Sequence, residues 1–378
     1  MNTEQLVAIA SLPVLLGAQL AEHLVARALG RRGYSWRQTF NNLGASLVSR
    51  AVLGAVGLVP LLGYRALRDL AGLWDGWSTR DPVHWVVVFL LTDLALYLRH
   101  RLAHRVAALW VVHAVHHQSR DYNLSVATRF SWFQDAVLVT LPLALLGVPY
   151  PMALGCWLVG NVFQYFQHTE LVGRLGALDR WLVTPSNHRA HHGSNPAYLD
   201  CNYGAVLLVW DRLFGTWVPE TEPVTFGTTT GLPTYDATDN NLEPLRGLWR
   251  KLAHHRSAWD KLRIVFAPPA WTPDRGELPP VVVTDPEPQR INVVSPGRRV
   301  FAAATLAIAA ALTAVGTGPA AAGAVVALVA VGGVTLDGRR VEPPVPGLRG
   351  RIAAALATLA GPDARGPLFR LARVTAGA

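Results

Sequence analysis

Lysine is nearly absent: of 34 basic residues only Lys251 and Lys261 are not arginine. Cysteine is as sparse. Cys156 and Cys201 stand alone, so the chain offers neither a disulfide framework nor a CxxC metal site. Charge of either sign is short at 16% of 378 residues, where a soluble globular chain carries about a quarter. With 51% hydrophobic residues, that shortage argues against a cytosolic enzyme and against a disordered chain. A glycine loop cradling phosphate at a strand–helix junction is also missing; Gly316-Thr317-Gly318 sits inside an apolar run and reads as packing.

What is present is a set of apolar runs and a cluster of histidines. The runs cover residues 6–29, 43–64 and 83–98, then a stretch over 135–166 broken by Pro149-Tyr150-Pro151, and a last pair over 300–316 and 319–336. A bilayer crossing takes about 20 apolar residues, somewhat fewer with flanks that reach the interface. The expectation is that these runs are membrane legs, the fourth and fifth forming a helical hairpin. Arginines follow the first run (Arg27, Arg31, Arg32, Arg37) and the third (Arg99, Arg101, Arg105). They also precede the last pair (Arg298, Arg299) and follow it (Arg339, Arg340, Arg349, Arg351). With the N-terminus outside, all four groups fall on the cytoplasmic side. The net charge of +9 therefore marks a membrane edge. It forms no separate basic domain, and nucleic-acid binding is rejected. The expected fold class is all-α: polytopic membrane helices with a cytoplasmic helical cap.

Thirteen histidines are present, and most fall into three short patterns. His100 and His104 form HxxxH; His113, His116 and His117 form HxxHH; His188, His191 and His192 form HxxHH again. On a helix, positions i, i+3 and i+4 share a face, so each pattern aims its imidazoles at a common spot. Neutral imidazole binds iron, zinc, copper and nickel, and three on one face have few other uses. At 100° per residue, His100 and His113 would lie about 220° apart on one straight helix. They serve one centre only if the chain breaks between Arg105 and Val112, a stretch with neither Gly nor Pro. That break is predicted, against the alternative of separate metals on separate faces. His168 follows the hairpin at the level of His100 and joins the candidates. His23, His84, His254 and His255 have no such company and read as interfacial or surface residues. Nine ligands are too many for one metal and suit two ions with four or five histidines each.

The segment Asp93-Leu94-Ala95-Leu96-Tyr97 leading into His100-Arg101-Leu102-Ala103-His104 resembles the fatty acid hydroxylase / sterol desaturase superfamily of membrane-bound, histidine-rich di-iron enzymes. The resemblance continues through His113-Ala114-Val115-His116-His117, Asn123 to Arg129, Thr184-Pro185-Ser186-Asn187-His188-Arg189-Ala190-His191-His192-Gly193 and Asn202-Tyr203-Gly204 to Thr216. It covers about residues 85–220 and is nearest the sterol-desaturase-like and alkylglycerol monooxygenase branch. It implies two iron ions held by His100, His104, His113, His116, His117, His168, His188, His191 and His192, with O2 as co-substrate. It also implies oxidation of an unactivated C–H bond in a membrane lipid at the cytoplasmic face of a bacterial-type plasma membrane. Such a bond offers no acid–base handle, so the chemistry is the cofactor's, and the protein holds metals, admits lipid and excludes water. No haem-binding domain is fused, so a separate electron-donor protein is expected. Asp93, Asn123, Glu170, Asn187 and Asp200 are candidates for orienting the ligating imidazoles. For Asp93 the competing role is a salt bridge to Arg129 or Arg189. Trp210-Asp211-Arg212 reads as a structural turn.

The organisation expected is N-terminal membrane helices and a loop over 1–82, the catalytic domain over 83–220, a cytoplasmic Pro-rich segment over 221–299, and a C-terminal membrane helix pair with a tail over 300–378. Hydroxylase and desaturase chemistry share ligands and stay open. The contrasting class is a His-rich metal-binding membrane protein or transporter without oxygenase activity, whose ligands would lie along a path near the bilayer midplane.

Overall fold

The computed structural model describes residues 3–31, 34–56, 59–132, 136–229, 237–277, 296–315 and 319–337. These residues are mostly helical. In chain order the helices are α1 (Thr3–Ala28), α2 (Trp36–Val56), α3 (Val59–Ala71), α4 (Pro82–Arg105), α5 (Ala107–His117), α6 (Ala136–Leu145) and α7 (Tyr150–Gln167). The short α8 (Pro185–His191) and α9 (Val209–Leu213) follow, then α10 (Ala237–His254), α11 (Ala258–Phe266), α12 (Pro296–Val315) and α13 (Pro319–Asp337). A two-stranded hairpin, β1 (Trp271–Thr272) with β2 (Gly276–Glu277), interrupts the series after α11.

α4 begins where the sequence dictates. The Asp81 side chain accepts from the Val83 N–H and Pro82 occupies the first turn, a cap and a proline where the first helical N–H groups lack partners. Its outward residues Val83, Val86, Val87 and Leu90 are exposed while Thr92, Asp93 and Tyr97 are buried. Among the described residues α4 is the one helix that is long and apolar enough to cross a membrane. The membrane legs expected from hydropathy are therefore corrected in detail. The run over 43–64 divides between α2 and α3. α2 spends its length on buried Gln38, Asn41, Asn42, Ser46 and Ser49. The hairpin is present as α6 and α7, but α6 has only 10 residues, with Pro142 inside it. The final pair forms α12 and α13, which pack on each other and on α2. Phe40, Ala45 and Val48 meet Ala302, Ala309, Val325 and Val329 there. The approach is close: a Cβ at Gly332 would collide with the Phe40 ring, and one at Gly44 would lie 2.7 Å from Val329.

The predicted break is found at Val106. Its backbone is extended (φ −124°, ψ 116°), capping α4 and opening α5. A β-branched residue is at ease in that conformation. The Ala107 N–H, which a continuous helix would have bonded internally, donates instead to the Ala267 carbonyl at 2.9 Å. The segment after α11 thus satisfies the bend, taking the part that glycine or proline plays elsewhere. Residues 278–295 of the Pro-rich stretch, like the tail beyond 337 with Arg339, Arg340, Arg349 and Arg351, lie outside the described residues.

Candidate metal centre

All nine clustered histidines converge, in two groups. His100, His104, His113, His117 and His191 form one, His116, His168, His188 and His192 the other, and within each group the ligand nitrogens lie within 4.8 Å of one another. The groups adjoin: the rings of His117 and His192 stack at 4.3 Å. His23, His84, His254 and His255 belong to neither.

The grouping corrects the expectation that each motif serves one spot. His113 and His117 share a group while His116 joins the other; His188 and His192 share a group while His191 crosses over. The reason is helical. Positions i and i+4 differ by about 40° in azimuth, whereas i+3 and i+4 differ by about 100°. Each group is thus built on i,i+4 pairs, and the i+3 histidine of each HxxHH turns to the neighbouring group.

Hydrogen bonds fix the ring orientations. Nδ1 of His100 lies 2.9 Å from the Tyr203 carbonyl, that of His191 2.7 Å from the Cys201 carbonyl, that of His168 2.8 Å from the Gln164 carbonyl and that of His116 3.2 Å from the Arg129 carbonyl. A carbonyl only accepts, so each of these Nδ1 atoms carries the proton and each Nε2 presents a lone pair inward. The Nε2 atoms of His100, His104, His191 and His192 are buried without a hydrogen-bond partner. Those of His116 and His168 face each other at 3.1 Å. Two lone pairs at that distance repel unless a proton or a metal cation lies between them. Burial, and then the neighbouring imidazoles, hold His113, His116, His117, His188 and His192 well below the ordinary histidine range. His191 is also held well below that range, by burial and the nearby His104. Burial lowers His168 to about 4. Neutral, inward-facing imidazoles that resist protonation are a donor set suited to a transition-metal ion.

The residues expected to orient these rings act less directly than foreseen, except one. Asp200 places Oδ1 3.6 Å from His104 Nδ1 and pairs with Arg105 at 2.8 Å. Asp93 touches no imidazole and pairs with neither Arg129 nor Arg189; it accepts from the N–H groups of Val206 (2.9 Å) and Leu207 (3.1 Å) and from the Trp210 indole (2.9 Å). Asn123 accepts from the Ser125 N–H and hydroxyl within its own turn. Glu170 is exposed, and its carbonyl accepts from Arg31. The Asn187 amide donates to the carbonyls of Asp179 and Leu182, fixing the start of α8.

Sequence reasoning singled out Asp200 and the Asn202-Tyr203-Gly204 motif but missed what residues 200–203 do with their backbone. Asp200 (φ 56°) and Asn202 (φ 53°) are both left-handed, a conformation that Asp and Asn tolerate better than other non-glycine residues. Between and after them, the carbonyls of Cys201 and Tyr203 turn to His191 and His100. Asp211 holds this segment by accepting from the N–H groups of Tyr203 and Gly204, both at 2.7 Å, which makes the Trp210-Asp211-Arg212 turn structural, as read. Arg129 was also missed as a determinant. It is fully buried and donates to the Val115 carbonyl, Asn41, Asn42 and Gln118, while its own carbonyl meets His116. Glu22, read only as an interruption of the first apolar run, is buried and accepts from Tyr34, the Leu124 N–H and Thr169, next to His168.

The fold and site define a helical protein with adjoining clusters of five and four buried or half-buried histidines. Residues 85–216 match the fatty acid hydroxylase family, in agreement with the resemblance read from the motifs. The chain is similar to alkylglycerol monooxygenase of Danio rerio, 36% identical over 243 residues, which cover 63% of this chain and 53% of that protein. It is similar to ornithine lipid hydroxylase OlsE of Rhizobium tropici, 31% identical over 192 residues, 48% of this chain and 57% of the relative. It is also similar to a Delta(7)-sterol 5(6)-desaturase of Eremothecium gossypii, 27% identical over 166 residues, 43% and 41% of the two chains. The chain spans about half the length of the curated relatives it matches. No solved structure matches it.

Proposed function

We propose that the protein is a membrane-bound non-haem di-iron oxidoreductase that hydroxylates or desaturates a C–H bond of a lipid, using O2 and electrons from a separate donor protein. The observation that carries this reading is the pair of facing Nε2 atoms on His116 and His168, within two histidine clusters of a domain whose relatives are named as lipid hydroxylases, monooxygenases and a sterol desaturase. The donor set fits two ions. His100, His104, His113, His117 and His191 would hold one; His116, His168, His188 and His192 the other. The irons would supply the O2-dependent oxidation of an unactivated C–H bond.

The chain's own residues have separable tasks. Four carbonyls hold protons on Nδ1 and turn Nε2 inward. The burial of the cluster keeps water from the centre, which protects the oxidant from side reactions. α4 passes from an exposed apolar face at Val83, Val86, Val87 and Leu90 to His100 and His104 within one helix. A substrate lying in the bilayer would reach the site along it. The arginine pattern supports a site at the cytoplasmic face. A fatty acyl, sterol-like or ether lipid is the substrate class the relatives' names favour.

The test joins metal analysis of the purified protein to lipidomics of cells with and without it. About two irons per chain and a new hydroxylated or unsaturated lipid are expected. Zinc or no metal, with lipids unchanged by His191→Ala, would leave the contrasting metal-binding or transport reading in its place.

A further inference from the structure

α10 and α11 pack inward on α5, the helix that carries His113, His116 and His117. Ala237, Asn240, Asn241 and Ile264 are their buried residues, and the Gln118 side chain donates to the Asn240 carbonyl at 3.1 Å. Their outward faces have an unusual composition for protein surface. On α10, Leu245, Trp249 and Ala253 are exposed at i, i+4 and i+8, and Arg246, Arg250 and His254 are exposed one position on, at the same spacing. An apolar column therefore runs beside a basic one. On α11, Trp259, Leu262 and Phe266 share one face, 66%, 49% and 65% exposed, and Trp249 is 70% exposed. Residues 237–266 hold six Arg and Lys against three carboxylates; Arg246, Arg250 and Arg263 pair with Asp239, Glu243 and Asp260, so the net positive charge falls to Lys251, Arg256 and Lys261, with Arg256 and Lys261 exposed between and beside the apolar columns.

We propose that this face of α10 and α11 docks on an anionic phospholipid bilayer, lying in its headgroup layer and holding α5 and its histidines at that depth. Three features single out lipid as the occupant. A protein-binding patch is depleted of charge at its core, whereas here cations accompany the apolar side chains along the whole helix, the pattern of a helix that lies in a membrane interface. Both helices present tryptophan, which prefers the headgroup level. The face also begins where the spanning helix ends. α11 closes at Phe266, and the next carbonyl, Ala267, accepts from Ala107 at 2.9 Å, one residue past the break that terminates α4. Each basic residue near an anionic surface adds attraction that falls away within a Debye length.

The experiment labels Leu245→Cys and Leu262→Cys, separately, with a bimane fluorophore in the full chain in nanodiscs containing phosphatidylglycerol. Cys156 and Cys201 are buried, so a thiol reagent finds the new site. Both leucines are exposed, and Ala253→Cys gives a third position on the same column if either variant is lost. Lipids brominated near the headgroup should remove most of the emission, and aqueous iodide little of it. Quenching by iodide in place of lipid overturns the proposal, because the face then looks into water. Shielding from both quenchers overturns it too, because protein then covers the face. The readout is depth, so it stands apart from whether the chain binds iron or oxidises lipid.

Discussion

Nδ1 of His100 meets the carbonyl of Tyr203 at 2.9 Å across 103 residues of chain. The contact joins the last turns of α4 to a loop whose shape depends on two buried carboxylates, Asp93 and Asp211. In the first histidine cluster, His100 and His191 are therefore positioned by backbone carbonyls and His104 faces Asp200 directly, while Asp93 and Asp211 act one step further out, on the loop that carries those carbonyls.

His191 and His192 are neighbours in sequence but belong to different clusters. His191→Ala should lower metal occupancy in the five-histidine group and His192→Ala in the four-histidine group, each leaving about half the metal of the unaltered protein. Metal mass spectrometry combined with a spectroscopic probe of the bound metal would separate the two. Identical residual spectra from both variants would show that the groups do not bind independently.

Asp93→Asn keeps the shape of the side chain but turns one acceptor oxygen into a donor facing the N–H groups of Val206 and Leu207. A buried donor left unpaired costs about 1–3 kcal/mol. The larger expected effect is on His100, whose carbonyl partner sits on the same loop: metal affinity should fall roughly 10–100-fold. Thermal unfolding and a metal titration in detergent measure the two effects separately. Unchanged metal affinity would detach Asp93 from the site.

Arg129 is held below its ordinary range by burial, at about 9, and so stays charged at neutral pH with four groups around it. Arg129→Lys removes the planar fork that reaches the Val115 carbonyl, Asn41, Asn42 and Gln118 together. A loss of roughly 2–4 kcal/mol is expected, read as a lower midpoint in denaturant. Because the Arg129 carbonyl also orients His116, metal should be lost first from the four-histidine cluster.

Acid should destabilise the metal-stripped protein. An unfolded histidine takes a proton from about pH 6.5 downward, whereas folded His168 does so only near 4. As pH falls through that window the unfolded chain binds protons that the folded one refuses, and stability drops. His168 alone accounts for about 3 kcal/mol by pH 4. Unfolding of stripped protein followed from pH 7.5 to 4.5 checks the sign. A midpoint that rises toward acid would contradict a buried, neutral cluster.

Much of the site was legible in advance because helical periodicity is local. HxxxH and HxxHH put imidazoles on a helix face whatever surrounds them, and the mismatch between His100 and His113 required a break that appears at Val106. The membrane legs were less legible. Hydropathy averages over a window, and it cannot tell that Asn41 and Asn42 in α2 are buried against Arg129, or that residues 43–64 divide into two helices. The orienting partners were the least legible. Asp93, Asn123, Glu170 and Asn187 were plausible by residue type, yet the atoms that meet the rings are carbonyls, which every residue owns and no sequence pattern marks.

Residue identity and a repeat of 3.6 residues per turn mark eight of the histidines that assemble, His168 joins them by its place after the hairpin, and their number alone is too large for one ion. Tertiary structure alone decided that His113 and His117 part from His116, and that His191 parts from His188 and His192. It also decided that the left-handed residues Asp200 and Asn202 aim the Cys201 carbonyl. Those outcomes depend on where α4, α5, α7 and α8 are held relative to one another. That placement is set by contacts a hundred residues apart, beyond the reach of any local periodicity.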